Sequence, residues 1–309
     1  MARPNLRHLA TVLLLSLAAS SLHAQSSKDI DTQWPTYGGD PGGQRYTASA
    51  QITRANVTQL QPAWTFHTGS VAKNRTGVKN SSFEATPILF HGLLYLTSPY
   101  DEIFAVDPST GEQRWQFDPH LTRNMSSGIL TSRGVASWSS TSSAAQPCAT
   151  RIFLATMDAR LLAVDARTGS PCSSFGDNGS VDLTRNIHFR VGDDYFSSSP
   201  PTVVGNVVIV GSGIVDNQRV DMESGVVRAF DCTTGKQIWA WDPIPWANGQ
   251  KLRTGAANAW SVIAADLEHG LVYIPTGAAS PDFYGGMRPG DDRDANSVVA
   301  LEAATGKRV

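Results

Sequence analysis

The chain has 309 residues, of which 41% are hydrophobic and 17% are charged, and its formal net charge is −2. This composition is typical of a soluble globular protein, and it lacks the basic excess of a protein that binds nucleic acid or anionic lipid. Its 27 Gly, 17 Pro and 8 Trp favour an all-β chain of short strands joined by turns.

The first 24 residues predict a secretory signal peptide. Arg3 and Arg7 precede an apolar run at residues 9–19 (LATVLLLSLAA), and Ala24 offers a small residue for cleavage before Gln25. The alternative is a membrane anchor, but the run is shorter than the roughly 20 residues that span a bilayer. The mature chain, residues 25–309, is therefore expected to be periplasmic or secreted, with no stable membrane span.

A pattern of strand, acidic residue, Thr-Gly and Trp recurs along the chain. The four copies lie at residues 103–115, 161–169, 227–239 and 298–306. Their acidic residues are 58, 66 and 71 positions apart: Asp107, Asp165, Asp231 and Glu302. Such a period indicates a repeat architecture.

Each copy predicts two strands joined by a turn. A β-branched and aromatic run forms the first strand, Asp starts the turn and Gly supplies a positive φ. Another apolar run lies upstream of each copy, at residues 93–97, 151–155, 203–211 and 271–275. Units of three or four strands predict a β-propeller, with Trp between blades; a sandwich or barrel is the alternative. The second copy has Ser173 at the Trp position, with Phe175 nearby.

Cys148 and Cys172 flank one predicted strand pair, so export would allow a disulfide that closes this unit. Cys232 lies in a turn and is the third cysteine. Neither a CxxC motif nor close Cys/His spacing points to zinc.

The chain resembles the PQQ-dependent (quinoprotein) dehydrogenases, above all their glucose dehydrogenase branch. The resemblance begins at residues 31–39 (DTQWPTYGG) and 60–69 (LQPAWTFHTG) and extends to the end of the chain. It also includes residues 83–87 (FEATP), 132–135 (SRGV), 215–217 (VDN), 258–260 (NAW) and 281–286 (PDFYGG).

This resemblance implies an all-β, eight-bladed propeller, of which residues 25–309 supply about the first four blades. It implies pyrroloquinoline quinone (PQQ) as cofactor, with a calcium ion beside it that acts as a Lewis acid. The family's catalytic base is expected beyond Val309, so no catalytic residue is assigned in this chain, and the fragment alone is expected to be inactive.

The resemblance assigns three residues to the cofactor. Trp260 corresponds to a tryptophan that stacks on the PQQ plane, and its alternative role is packing between blades. Glu84 and Arg133 correspond to polar residues at the cofactor's oxygens and carboxylates, where an Arg fork binds a carboxylate in bidentate fashion. The alternative for Glu84 and Arg133 is a surface ion pair.

Three further residues are assigned to the metal. Asp216 and Asn217 correspond to a pair at the cation, and Ser280 lies where the glucose branch has a Thr. Oxygen ligands of this kind suit calcium, and the alternative for the pair is a plain turn. Asp282, Asp291 and Asp292 are interpreted as loop carboxylates that face solvent.

Two departures from the family affect the substrate. Thr131-Ser132 replaces the adjacent cysteines of the alcohol branch, and Ile129 replaces a His of the glucose branch. The expected substrate is a sugar, polyol or alcohol, and the expected electron acceptor is a quinone or cytochrome c. The alternatives are a non-catalytic scaffold of the outer-membrane assembly type and an inactive, truncated pseudo-enzyme.

Overall fold

The computed structural model describes residues 33–71, 81–122, 130–141, 146–187, 195–215, 220–244, 254–288 and 291–309. The predicted signal peptide lies outside these residues. Short 3-10 helices occur at Val57–Gln59 and Gly285–Met287, and the remaining regular structure is β. The strands are β1 (Ser81–Phe83), β2 (Ile88–Phe90), β3 (Leu93–Thr97), β4 (Ile103–Val106), β5 (Gln113–Phe117), β6 (Leu130–Ser132), β7 (Ala136–Ser139), β8 (Thr150–Ala155), β9 (Arg160–Asp165), β10 (Ser180–Asp182), β11 (Tyr195–Phe196), β12 (Thr202–Val204), β13 (Val207–Val210), β14 (Gly213–Ile214), β15 (Val227–Asp231), β16 (Gln237–Trp241), β17 (Ala264–Asp266), β18 (Leu271–Pro275) and β19 (Val298–Glu302).

Four antiparallel sheets follow one another along the chain, and we call them blades. Blade 1 is β2-β3-β4-β5, blade 2 is β7-β8-β9-β10, blade 3 is β12-β13-β15-β16, and blade 4 contains β17-β18-β19. These sheets confirm the predicted all-β repeat. One boundary was wrong: the apolar run at residues 203–211 is two strands, because Gly205, at φ +58°, turns the chain between β12 and β13. The eight-bladed ring stays a prediction.

The antiparallel order gives the blades two distinct ends. The first strand of each blade starts at one end, and the loop between the second and third strands returns to that same end. We call this the site end. The Asp-x-x-Thr-Gly turns join the third and fourth strands, so they lie at the opposite end, the turn end.

Tryptophans bind the turns of blades 1, 2 and 4 at the turn end. Each indole Nε1 donates to a carbonyl oxygen in a turn that follows it in the chain: Trp64, which precedes blade 1, to Pro108 at 3.0 Å, Trp115 of blade 1 to Ala166 of blade 2 at 3.0 Å, and Trp239 of blade 3 to Ala303 of blade 4 at 2.9 Å. The turn glycine lies directly against the ring in all three cases. A Cβ added there would come within 2.6 Å of the indole, at Gly111, Gly169 and Gly306. The structure therefore shows why Thr-Gly and Trp recur together.

The junction between blades 2 and 3 is built differently, because Ser173 stands at the Trp position. The Gly176 amide donates to the Thr234 carbonyl at 2.8 Å. The guanidinium of Arg151, which is only 3% exposed, donates to the carbonyls of Cys232 and Thr233 in the same turn at 2.9 and 2.8 Å. An arginine and a close backbone contact thus replace the missing indole.

The apolar core lies between neighbouring blades. Phe153 of blade 2 and Phe230 of blade 3 belong to one buried cluster, which also contains Phe175. Cys148 and Cys172 form a disulfide at the edge of this cluster, so the predicted pairing is confirmed. Cys232 is buried and free.

An amino-terminal strap, residues 33–45, crosses the first strands of several blades. Trp34 pairs with Leu89 of β2 through two backbone hydrogen bonds of 2.9 Å. The Ser137 hydroxyl of β7 donates to the Pro35 carbonyl at 2.8 Å. The Ala265 amide of β17 donates to the Pro41 carbonyl at 2.7 Å. The strap therefore ties blades 1, 2 and 4 together.

Candidate functional site: a cavity at the site end

A short parallel strand pair brings two predicted cofactor residues together. β1 pairs with β6 in a register that places Phe83 opposite Ser132, so the residues that follow each strand become neighbours. These are Glu84 and Arg133, whose carboxylate and guanidinium form an ion pair of 2.8 Å. Their side chains are 38% and 20% exposed, respectively, so the alternative of a merely superficial ion pair describes Glu84 better than Arg133.

Backbone bonds link the segments that precede the first strands of successive blades. The Thr86 amide donates to the Arg133 carbonyl at 3.1 Å, and the Arg133 amide donates to the Ser198 carbonyl at 2.8 Å. The Ser199 hydroxyl then donates to the Trp260 carbonyl at 2.7 Å. This chain of contacts fixes residues from four consecutive blade entrances around one place at the site end.

Arg133 is held on three sides. Besides the Glu84 carboxylate, its Nη1 donates to the Ser198 hydroxyl at 2.6 Å. Its guanidinium carbon lies 5.3 Å from the centre of the Trp260 ring, within cation–π range. Trp260 is 51% exposed, whereas Trp64, Trp115 and Trp239 occupy the blade junctions. The exposed part of the Trp260 ring is therefore accessible to a ligand.

Arg133, Ser198 and Trp260 line a cavity of about 320 Å³, which is within the usual ~300–1,000 Å³ range of small-molecule sites. The lining residues are Thr131, Arg133, Phe196, Ser198, Gly213, Ile214, Asn258, Trp260, Gly277, Ala278 and Asp282. The buried hydroxyl of Thr131 has no hydrogen-bond partner among the described residues. It is available to a polar ligand.

The predicted metal residues are only partly described. Asp216 and Asn217 lie outside the described residues. Ser280 is fully buried, and no described group bonds its hydroxyl. It lies two residues from Ala278 and from Asp282, both of which line the cavity. Within the described ranges, no group of three His, Cys, Asp or Glu side chains is arranged to hold a metal ion.

Sequence reasoning missed two cavity residues. Asp282, interpreted as a solvated loop carboxylate, is partly buried and lines the cavity with Trp260. The loop between β18 and β19 lies at the site end, and this position brings Asp282 to the cavity. Ser198 carried no signal, since its role depends on a contact with Arg133 across 65 residues. Asp292 pairs with Arg288 instead.

The residues present fit PQQ. A planar quinone with three carboxylates needs a flat aromatic surface and a cation with several donors. The half-exposed Trp260 ring supplies the first, and the adjacent Arg133 guanidinium supplies the second. The Thr131 hydroxyl adds a buried polar group without a described partner.

Comparison with known proteins identifies the family. The family model described as "PQQ: Glucose/ethanol/alcohol dehydrogenase, beta-propeller domain" matches residues 34–309. The chain belongs to this family of PQQ dehydrogenase β-propeller domains. The predicted resemblance is thus confirmed.

Several relatives of this domain are much longer than the chain. The chain is 34% identical to quinoprotein glucose dehydrogenase A of Acinetobacter calcoaceticus, over 90% of this chain and 37% of that protein. It is 38% identical to quinoprotein glucose dehydrogenase of Gluconobacter oxydans (strain 621H), over 89% and 36%. It is 36% identical to a quinate/shikimate dehydrogenase (quinone) of Acinetobacter baylyi, again over 89% and 36%. The chain therefore spans less than two fifths of the length of these relatives.

Solved structures support the propeller fold. Quinohemoprotein alcohol dehydrogenase from Comamonas testosteroni superposes with a TM-score of 0.71 at 25% identity, covering 90% of this chain and 40% of that one. Quinohemoprotein alcohol dehydrogenase ADHIIG from Pseudomonas putida HK5 gives a TM-score of 0.71 at 28% identity, with 91% and 40% covered. In the part of the chain that the structure describes, we find no helix long and apolar enough to cross a membrane.

Proposed function

We propose that this chain supplies four blades and part of the cofactor site of an exported PQQ-dependent dehydrogenase. The enzyme oxidises a CH–OH group of a sugar, polyol or alcohol and passes electrons to a quinone or cytochrome c. The observation that carries this proposal is Arg133, held between Glu84, Ser198 and the half-exposed ring of Trp260 at the rim of a cavity.

Each side chain has a separate role in binding the cofactor. Arg133 binds a carboxylate of the cofactor, and the Glu84 ion pair fixes the direction of its guanidinium. Trp260 offers its ring as a stacking surface and excludes water from one face of the ligand. When bound, PQQ supplies the chemistry by accepting a hydride from the carbinol carbon.

A calcium ion is proposed to bind beside the cofactor. Ser280 would contribute its buried hydroxyl, which no described group bonds, and Asp216 and Asn217 would contribute charged and amide oxygens. Oxygen donors of this kind suit calcium. We propose that the catalytic base lies beyond Val309. We also propose that the signal peptide is cleaved after Ala24.

The two alternatives are less well supported. A non-catalytic scaffold gives no reason for a tryptophan that is 51% exposed to face an arginine that is held by an ion pair and a hydrogen bond. An inactive pseudo-enzyme gives no reason to retain the Glu84–Arg133–Ser198 contacts.

Cofactor binding tests the proposal. In the full-length protein that contains this chain, Arg133→Ala should weaken PQQ binding by about 10- to 100-fold, the effect of losing a charge-assisted hydrogen bond to a carboxylate. PQQ affinity is measured by quenching of tryptophan fluorescence. The matched control is Arg45→Ala, because Arg45 also lies over an aromatic ring, at 4.8 Å from Tyr37, in the strap. Equal PQQ affinity of the two variants would reject the proposed site.

A further inference from the structure

Asp101 occupies an unusual position in the loop between β3 and β4, at the site end of blade 1. It is fully buried, and its backbone is left-handed, with φ of +60°. Its amide donates to the Ser98 carbonyl at 3.0 Å. Ala159 takes the same place in the equivalent loop of blade 2, with φ of +63° and an amide bond of 3.0 Å to the Thr156 carbonyl. The turn therefore does not require a carboxyl group, and the one at Asp101 calls for another explanation.

The Asp101 carboxyl reaches toward two neighbouring segments. Its Oδ2 accepts the amide of Met157 in blade 2 at 2.7 Å. The Ser132 hydroxyl lies close enough to lower the pKa of the carboxyl. Yet neither Asp101 Oδ1 nor Ser132 Oγ has a well-formed hydrogen bond to any residue that the structure describes, and both atoms are buried. Two adjacent polar atoms thus lack the partners that buried groups normally have.

The surroundings favour a neutral carboxylic acid. Burial raises the pKa of Asp101 well above its usual range, and the nearby Asp158 carboxylate adds to this effect. The Met157 amide, the Ser132 hydroxyl and the Arg160 guanidinium act in the opposite direction but do not prevail. A protonated Oδ1 is a hydrogen-bond donor, and Ser132 Oγ can accept that bond.

Ser132 is the last residue of β6, and Arg133 follows it directly. A bond from Asp101 to Ser132 would fix the end of the strand that carries the cofactor-binding guanidinium. We propose that Asp101 is a positioning residue, whose carboxyl group bridges the Met157 amide and the Ser132 hydroxyl and so holds Arg133 in the cavity. This inference rests on the proposed function only for its effect on cofactor affinity.

The test uses four substitutions in the full-length protein. Asp101→Gly keeps the left-handed turn free of strain and removes the carboxyl, whereas Ala159→Gly makes the matched change in blade 2. Asp101→Asn retains a donor and an acceptor in the same shape. Ser132→Ala removes the proposed acceptor and leaves the Met157 contact intact. Amide hydrogen exchange at Arg133 and the PQQ dissociation constant are measured for each variant.

We expect Asp101→Gly and Ser132→Ala each to speed exchange at the Arg133 amide, and to weaken PQQ binding, by about tenfold, the effect of one lost buried hydrogen bond. The Asp101→Gly/Ser132→Ala double variant should be no worse than Asp101→Gly alone, since Asp101→Gly already removes the bond to Ser132. Ala159→Gly and Asp101→Asn should stay within about twofold of wild type.

Unchanged Arg133 exchange in Ser132→Ala would overturn the positioning role. If the wild-type protein does not bind PQQ but exchange responds as expected, the positioning role stands and the proposed function fails. The two failures are therefore distinguishable.

Discussion

At the scale of single residues, Asp101 links the stability of the domain to pH. Its pKa in the folded chain is raised, mainly by burial, whereas an Asp in the unfolded chain titrates near 3.9. Between these two pKa values the folded protein holds a proton that the unfolded protein has released. The stabilising contribution of the neutral acid is therefore fully present below about pH 3.9 and is lost as the pH rises through the folded pKa.

Asp101→Asn should remove this dependence, because an amide keeps the hydrogen-bonding shape without a titrating proton. We expect the variant to melt at a higher temperature than wild type at neutral pH, with a difference that shrinks as the pH falls toward about 4. Thermal unfolding at a series of pH values measures it. A difference independent of pH would mean that Asp101 is not protonated in the fold.

The residues of the site differ in how visible they are in the sequence. Glu84, Arg133 and Trp260 could be named only through the family resemblance, because their spacing carries no periodic signal. In the sequence, Asp101 looks like an ordinary turn residue, because Asp adopts the left-handed backbone conformation more readily than most residues. Its carboxyl accepts the amide of Met157 in the next blade, 56 residues away, and local sequence does not encode that contact.

At the scale of elements, the turn glycines allow tryptophan rings to pack closely against the turns. Gly111 has a positive φ of +74°, and a Cβ added there would also lie 2.6 Å from the indole ring of Trp64. Gly92, in the turn between β2 and β3, has a similar φ of +78° but nothing within 4 Å. The two positions therefore separate backbone strain from steric overlap.

Gly92→Ala should cost about 1 kcal/mol through its left-handed backbone alone. Gly111→Ala should cost about 1–3 kcal/mol more, because Trp64 must move and its bond to the Pro108 carbonyl is then lost. Chemical denaturation of both variants gives the two free energies of unfolding. Equal losses would show that the indole does not restrict this turn.

The elements were predictable to the extent that they repeat. The strands before each Asp-x-x-Thr-Gly turn follow from apolar runs and turn chemistry, and β3, β15, β18 and β19 match the expected bounds. The parallel pair of β1 and β6 was not predicted. Each of these strands has three residues, and their pairing joins Ser81 to Leu130, so no hydrophobic period marks it.

At the scale of the whole molecule, the strap joins blades that are far apart in sequence. Trp34 pairs with β2 through its backbone, and its ring packs against the backbone of Gly39, where an added Cβ would lie 3.0 Å from the indole. The indole thus helps to fix the path of the strap toward Pro41 and blade 4.

Trp34→Ala should loosen that path and lower the free energy of unfolding by about 2 kcal/mol. Tyr46→Ala is the matched control, because this side chain is 75% exposed and its removal should cost less than about 0.5 kcal/mol. Thermal unfolding and limited proteolysis of the two variants provide the measurement. If Trp34→Ala is no less stable than the control, the strap does not restrain the blades.

The two ends of the blades are built differently. At the turn end the glycines of blades 1, 2 and 4 each lie against an indole, so a larger residue at any of the three meets the ring. At the site end the loops after β13 and β18 are long and unlike each other, and they can change in length without touching the tryptophan contacts. Gly213, Ala278 and Asp282 of these two loops line the cavity, so a change in either loop would reshape the cavity while the tryptophan contacts at the turn end stay in place.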